Sequence, residues 1–135
     1  MNERMTADAS EAIHVANFRA ALRDFQHETE RVARKSGLTP QRYLLLLMVK
    51  GAADGSGQTT VTELAERMKL AQSTVTELVK RAETAGLVER EQSEADARVA
   101  HIRLTAEGER RFALVFNGLE SERAMLRDAF AELDA

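Results

Sequence analysis

Between Thr60 and Thr105 the hydrophobic period of the chain switches from that of a helix to that of a strand, and few folds accommodate the resulting order. In TVTELAERMKL (residues 60–70), Val61, Leu64, Ala65 and Met68 share one face. Thr60 is placed as N-cap with Glu63 three residues on, the spacing of a reciprocal capping box. In AQSTVTELVKRAETAG (71–86), Val75, Leu78, Val79 and Ala82 follow at i, i+3, i+4 and i+7, which leaves Gln72, Ser73, Thr74, Thr76, Glu77, Lys80 and Arg81 on other faces. The few residues around Leu70 and Ala71 force a sharp turn, so the second helix should project as it does in helix-turn-helix readers of DNA. After Gly86, a natural C′ glycine, the period becomes two. Leu87–Glu91 and Val99–Leu104 are then two short strands, and QSEADAR (92–98) is the loop of a wing carrying Asp96 and Arg98 at its far end. Thr105 caps the next helix.

The runs LAQSTVTELVKRAETAGLVER (70–90) and EADARVAHIRLTAEG (94–108) resemble the winged helix-turn-helix of the MarR family of bacterial transcriptional regulators. The likeness extends to a preceding helix, a Thr-Pro-initiated apolar helix at 39–51 and a long terminal helix. Its most specific element is Asp96-x-Arg98, then six residues, then Thr105 and Gly108. The resemblance implies that Arg98 enters a DNA minor groove with Asp96 orienting it. It departs from the family at Ala97, where an arginine is common, at Glu77, where a basic residue is frequent, and at Ala82, where leucine is usual. It also implies a ligand pocket where the first, second and last helices meet. Candidate linings are His14, Phe18 and Tyr43, which mix aromatic faces with polar tips suited to an aromatic or amphipathic anion.

The flanks of the motif read as dimerisation machinery. Val15, Phe18, Leu22, Phe25, Thr29 and Val32 repeat in steps of three and four, and the last helix answers with Phe112, Phe116, Leu119, Arg123, Leu126, Phe130 and Leu133. Such narrow seams pack either on each other within one chain or on a second copy, and paired DNA half-sites favour the second copy. The expected fold is mainly α with a small β-hairpin wing. It is a single domain (1–135) with a winged helix-turn-helix DNA-binding lobe at 39–105, flanked by N- and C-terminal dimerisation helices at 10–36 and 106–135.

Composition excludes several classes. The absence of cysteine rules out a disulfide framework, a thiolate zinc site and thiol redox sensing. His14, His27 and His101 lack metal-ligand spacing, Glu28 and Glu30 point to different helical faces, and no Ser has an argued catalytic partner, so neither an enzyme nor a metal or other cofactor is expected. GAADGSGQ (51–58) lacks the phosphate-cradle pattern and reads as a flexible surface loop. MNERMTADASEA at the start carries acids and no apolar segment, so a signal peptide is not expected. No run approaches the ~20 apolar residues of a membrane span, and a cytoplasmic location follows.

Charge runs against a DNA reader. The chain is −3 overall, and Val61 to Thr105 holds seven Lys/Arg against eight Asp/Glu. Residues 119–135 hold five acids and two arginines, so the remainder is neutral. Lys80, Arg81, Arg90, Arg98 and Arg103 are expected to share a DNA side from which Glu83, Glu89 and Glu91 are absent. Two function classes stand: a homodimeric regulator that binds a pseudo-palindromic operator in double-stranded DNA and is released by a small molecule, or a winged-helix module whose Glu-rich surface binds another protein.

Overall fold

Helix α1 (Ala9–Lys35) opens a computed structural model that describes residues 5–134. Asp8 caps it, its Oδ1 accepting the Ser10 N–H at 2.8 Å. The helix stops where Gly37 takes φ +80° and the Leu38 N–H reaches back to the Ala33 carbonyl at 2.9 Å. Thr39 then caps α2 (Pro40–Lys50), with Pro40 in the first turn where its missing N–H costs nothing. Tyr43, Leu45, Leu46 and Val49 of α2 are buried, so this helix is the spine of the core.

A two-residue strand, β1 (Gln58–Thr59), leads to α3 (Val61–Met68) and α4 (Gln72–Thr84). The hairpin β2 (Val88–Gln92) and β3 (Ala100–Leu104) follows, then α5 (Ala106–Gly118), α6 (Glu120–Ala131) and a 3₁₀ turn at Glu132–Asp134. The sheet is antiparallel in the order β1-β3-β2, with Gln58 opposite Arg103 and Glu91 opposite His101. Leu45, Leu46 and Val49 meet Leu64, Val75, Val79, Ile102, Val115 and Leu119 in one cluster, so α2, the helix-turn-helix, the sheet and α5 are a single packed body. Truncating one of its leucines to alanine costs about 2–5 kcal/mol. Among the described residues no helix is long and apolar enough to cross a membrane.

The structure differs from these expectations at four points. The last helix is not continuous: it breaks at Leu119 (φ −111°, ψ 18°), whose side chain is 1% exposed. The preceding Gly118 has poor helix propensity, and the Phe116 carbonyl accepts the Leu119 N–H at 3.2 Å and also Nη1 of Arg123, whose guanidinium lies 3.7 Å from the Phe116 ring centre. The loop at 51–58 ends in β1, whose partner strand lies more than 40 residues on and leaves no local trace. Glu63 completes only half of the capping box: its N–H goes to Thr60, but its carboxylate takes the hydroxyl of buried Thr59 at 2.7 Å.

The fourth difference lies in the terminal seams, part of which the chain uses within itself. Helices α1 and α6 pack on each other within the chain, Phe18 meeting Phe130 edge to face at 5.9 Å. Phe112 and Leu119 are buried in the chain's own core. Phe18, Leu22, Phe25, Phe116 and Leu126 are half-buried, while Val15 and Phe130 stay exposed, as do Ile13, Leu114 and Met125.

Candidate nucleic-acid interface

The turn that projects α4 is three residues long, and its geometry depends on Lys69. Lys69 closes α3 in the left-handed conformation (φ 57°, ψ 44°), which no other non-glycine residue adopts among those described. The Leu70 N–H returns to the Ala65 carbonyl at 3.1 Å, and Ala71 starts α4 without any side-chain cap. Gln72, Ser73 and Thr74 are exposed in this uncapped first turn, where backbone donors and short polar side chains point outward together. Glu77, Lys80 and Arg81 are exposed one and two turns on, and Thr76 is half-buried. Val75, Val79 and Ala82 hold the opposite face in the core.

At the other end of α4, Gly86 takes φ +76° and the Leu87 N–H bonds the Ala82 carbonyl at 2.9 Å, which turns the chain into β2. Thr105 ties this corner to α5. Its hydroxyl donates to the Gly86 carbonyl at 2.6 Å and accepts the Gly108 N–H at 3.0 Å, while its own N–H donates to the Leu87 carbonyl at 3.0 Å.

The wing tip is organised by its own side chains. Ser93 Oγ accepts the Ala95 and Asp96 N–H groups, and the Ser93 N–H donates to the Val99 carbonyl at 2.9 Å. Asp96 in turn accepts from the Arg98 backbone and guanidinium, leaving the Arg98 side chain 91% exposed yet directed. The Arg98 N–H first, and its guanidinium second, hold the Asp96 carboxyl below its ordinary range.

Pairing sorts the cations of this lobe differently from the expectation. Arg90 is bound by Glu83 at 3.0 Å, and Arg103 by Glu89 and Glu91 at 2.8 and 3.0 Å. The register explains the second set: Glu89 lies opposite Arg103, and Glu91, two residues on, shares its face of the sheet. These acids are therefore not on a separate side from the arginines but neutralise two of them. Arg67 is also engaged, donating to the Gly51 carbonyl at 2.9 Å and so capping α2. Lys80 and Arg81 make no ion pair among the described residues.

Arg42 is not among the residues expected from the sequence to face DNA. It stands in the first turn of α2 and lines a cleft with Glu77, Lys80 and Arg81 of α4. The available signal was the polar pair Gln41-Arg42 opening an otherwise apolar helix, which marks the turn that leaves the core.

His14, Phe18 and Tyr43 are not brought together. Tyr43 is buried, stacks on Phe112 at 5.8 Å and lines a cavity of about 610 Å³ with Leu22, Phe25, Thr29, Phe116 and Arg123. Burial pushes its hydroxyl pKa up, against a smaller opposing effect of Arg123. Phe18 faces a different groove with Phe25, Leu126 and Phe130, and His14 lines neither. The steps of α1 carry Phe18 one turn too far toward the helix start to reach the Tyr43 cavity.

A three-residue turn between short helices, a projecting polar helix and a two-stranded wing define a winged helix-turn-helix. A model of the MarR family matches residues 36–99. A MarR family protein from Bacillus stearothermophilus is 31% identical, with 92% of this chain and 80% of that chain aligned at a TM-score of 0.68. The chain belongs to the MarR family of transcriptional regulators. It is also 32% identical over 102 residues to the HTH-type transcriptional repressor MdtR of Bacillus subtilis, covering 76% of this chain and 63% of the repressor's length. A mutant E. coli MarR complexed with operator DNA shares the fold at a TM-score of 0.69 and 18% identity, over 95% of this chain and 94% of that one.

Proposed function

We propose that this protein is a homodimeric, DNA-binding transcriptional regulator that works in the cytoplasm. The observation that carries the reading is Arg98: a long cation at the tip of a hairpin, exposed, and aimed by a carboxylate in its own loop. That arrangement has little value to the fold, since exposed ion pairs contribute ~0–1 kcal/mol, but it presents a charge to a groove. In this reading α4 enters the major groove. Gln72, Ser73, Thr74 and Thr76 reach base edges, Glu77 accepts from cytosine N4, and Lys80 and Arg81 take backbone phosphates. Arg98 enters the minor groove and favours A·T-rich flanks. Two-fold symmetry makes the operator a pseudo-palindrome with half-sites ~10 base pairs apart.

The cavity beside Tyr43 supports a small-molecule effector. Its aromatic walls and the Arg123 guanidinium suit an aromatic or amphipathic anion, which acts by binding one spacing of the two lobes better than another. The rival reading, a protein-binding module using a Glu-rich surface, loses support because Glu83, Glu89 and Glu91 are already paired with Arg90 and Arg103. Selection of bound fragments from a random duplex library tests the proposal. Enrichment of a pseudo-palindrome is the expected outcome, and recovery of no common sequence would contradict sequence-specific reading.

A further inference from the structure

The cleft between α2 and α4 holds a concentration of positive charge that the fold does not use. Its volume is about 410 Å³, and Arg42, Glu77, Lys80 and Arg81 line it with the end of α4 at Thr84 and Ala85. Three cations face one carboxylate, and none of the four makes an ion pair among the described residues. Nearly every other cation of the lobe is engaged: Lys50 with Glu109, Arg67 with the Gly51 carbonyl, Arg90 with Glu83, Arg98 with Asp96 and Arg103 with Glu89. In a segment with as many acids as bases, unpaired cations gathered from two elements into one concavity make a local anion site. Like charges around a shared space repel, and an anion between them removes that repulsion.

We infer that Arg42 is part of the DNA-contacting surface and that, with Lys80 and Arg81, it holds one backbone phosphate of the duplex in this cleft. The inference rests on the DNA-reading proposal and adds to it a second point of support outside the helix-turn-helix. Arg42 differs from the two α4 cations in its mounting. Its neighbour Tyr43 and the following Leu45 and Leu46 are buried, so the first turn of α2 is fixed to the core and Arg42 is half-buried at its edge. A planar guanidinium held there offers paired donors to phosphate oxygens, which a lysine cannot match. A phosphate gripped between α2 and α4 sets how deeply α4 sits in the groove without reading any base, so Arg42 is a positioning residue.

The test is duplex binding by the full chain across a salt series, with Arg42→Gln beside the parent on both selected and random duplex. Arg42→Gln should weaken binding about tenfold on both, and its slope of log affinity against log salt should be shallower by about one. Arg42→Lys, which keeps the charge, should recover most of the slope but not all of the affinity. Arg42→Met, which keeps the apolar stem, should repeat the Arg42→Gln result with an unchanged thermal midpoint, separating lost contact from lost fold. Parental affinity and slope in both neutral variants would overturn the inference while leaving the DNA-reading proposal intact. A loss confined to the selected duplex would also overturn it, because the contact would then be to a base. A parent that binds neither duplex overturns the DNA-reading proposal itself.

Discussion

The Asp96 carboxylate holds Arg98 three times, accepting from its backbone N–H at 3.0 Å, its Nε at 3.2 Å and its Nη2 at 3.4 Å. Both residues are on one loop, so the pair adds almost nothing to the fold and restricts mainly where the guanidinium points. Freezing a long side chain on binding costs up to ~2 kcal/mol, part of which Asp96 removes in advance. Asp96→Ala should therefore weaken binding to a selected duplex less than Arg98→Ala does, with the thermal midpoint unmoved. The pH dependence follows from a depressed acid. Asp96 is ionised above its ordinary value of 3.8 and loses its grip only as pH falls through a still lower value in the folded protein. Between about pH 5 and 8 the affinities of parent and Asp96→Asn should run parallel; curves that diverge within that window would contradict this account of the wing.

Gly108 is required where α5 meets the start of the wing. A Cβ there would stand 2.0 Å from the Leu87 carbonyl oxygen, which is backbone and already accepts the Thr105 N–H. Gly108→Ala should destabilise by at least the ~1–3 kcal/mol of ordinary overpacking, read as a lowered urea midpoint.

Lys69 carries the cost of the helix-turn-helix corner. A left-handed non-glycine residue costs roughly 1–2 kcal/mol, offset in a glycine variant by the greater freedom of its unfolded chain. Lys69→Gly should thus raise stability by up to about 1 kcal/mol, with the helix-turn-helix unchanged. A lowered midpoint would mean that the Lys69 side chain contributes more than its backbone costs.

Association should depend on the apolar residues that a single chain leaves uncovered. Val15 and Phe130 are 49% and 62% exposed, on the two helices that carry the seams. Val15→Asp or Phe130→Asp should shift sedimentation to the monomer, and the parent's thermal midpoint should rise with concentration. A parent that sediments as a monomer at micromolar concentration would contradict the dimer.

The helix-turn-helix, its wing and the caps at Thr39, Thr60 and Thr105 were legible because each is encoded locally, by spacing, capping residues and a terminating glycine. Gly108 belongs to the same readable pattern, although only its 2.0 Å approach to Leu87 supplies the reason. What escaped depends on distant partners. β1 exists because β3 runs beside it, Arg42 matters because α4 passes near it, and Arg90 and Arg103 lose their free charge to acids that only the folded register brings near. The unbroken step pattern from Phe112 to Leu133 hid the break at Leu119 because a heptad pattern records which residues are apolar, not whether the backbone between them bends. It also could not distinguish a residue buried in the chain's own core, as at Phe112, from one left largely exposed, as at Phe130.

Joint reading of DNA by the wing and α4 stands or falls with the Arg98→Ala variant. Equilibrium binding of parent and variant to a selected duplex, followed by anisotropy across a salt series, should show a loss of roughly 1–3 kcal/mol and a flattened preference for A·T-rich flanks. Binding by Arg98→Ala that matches the parent in affinity, salt slope and flank preference would contradict it.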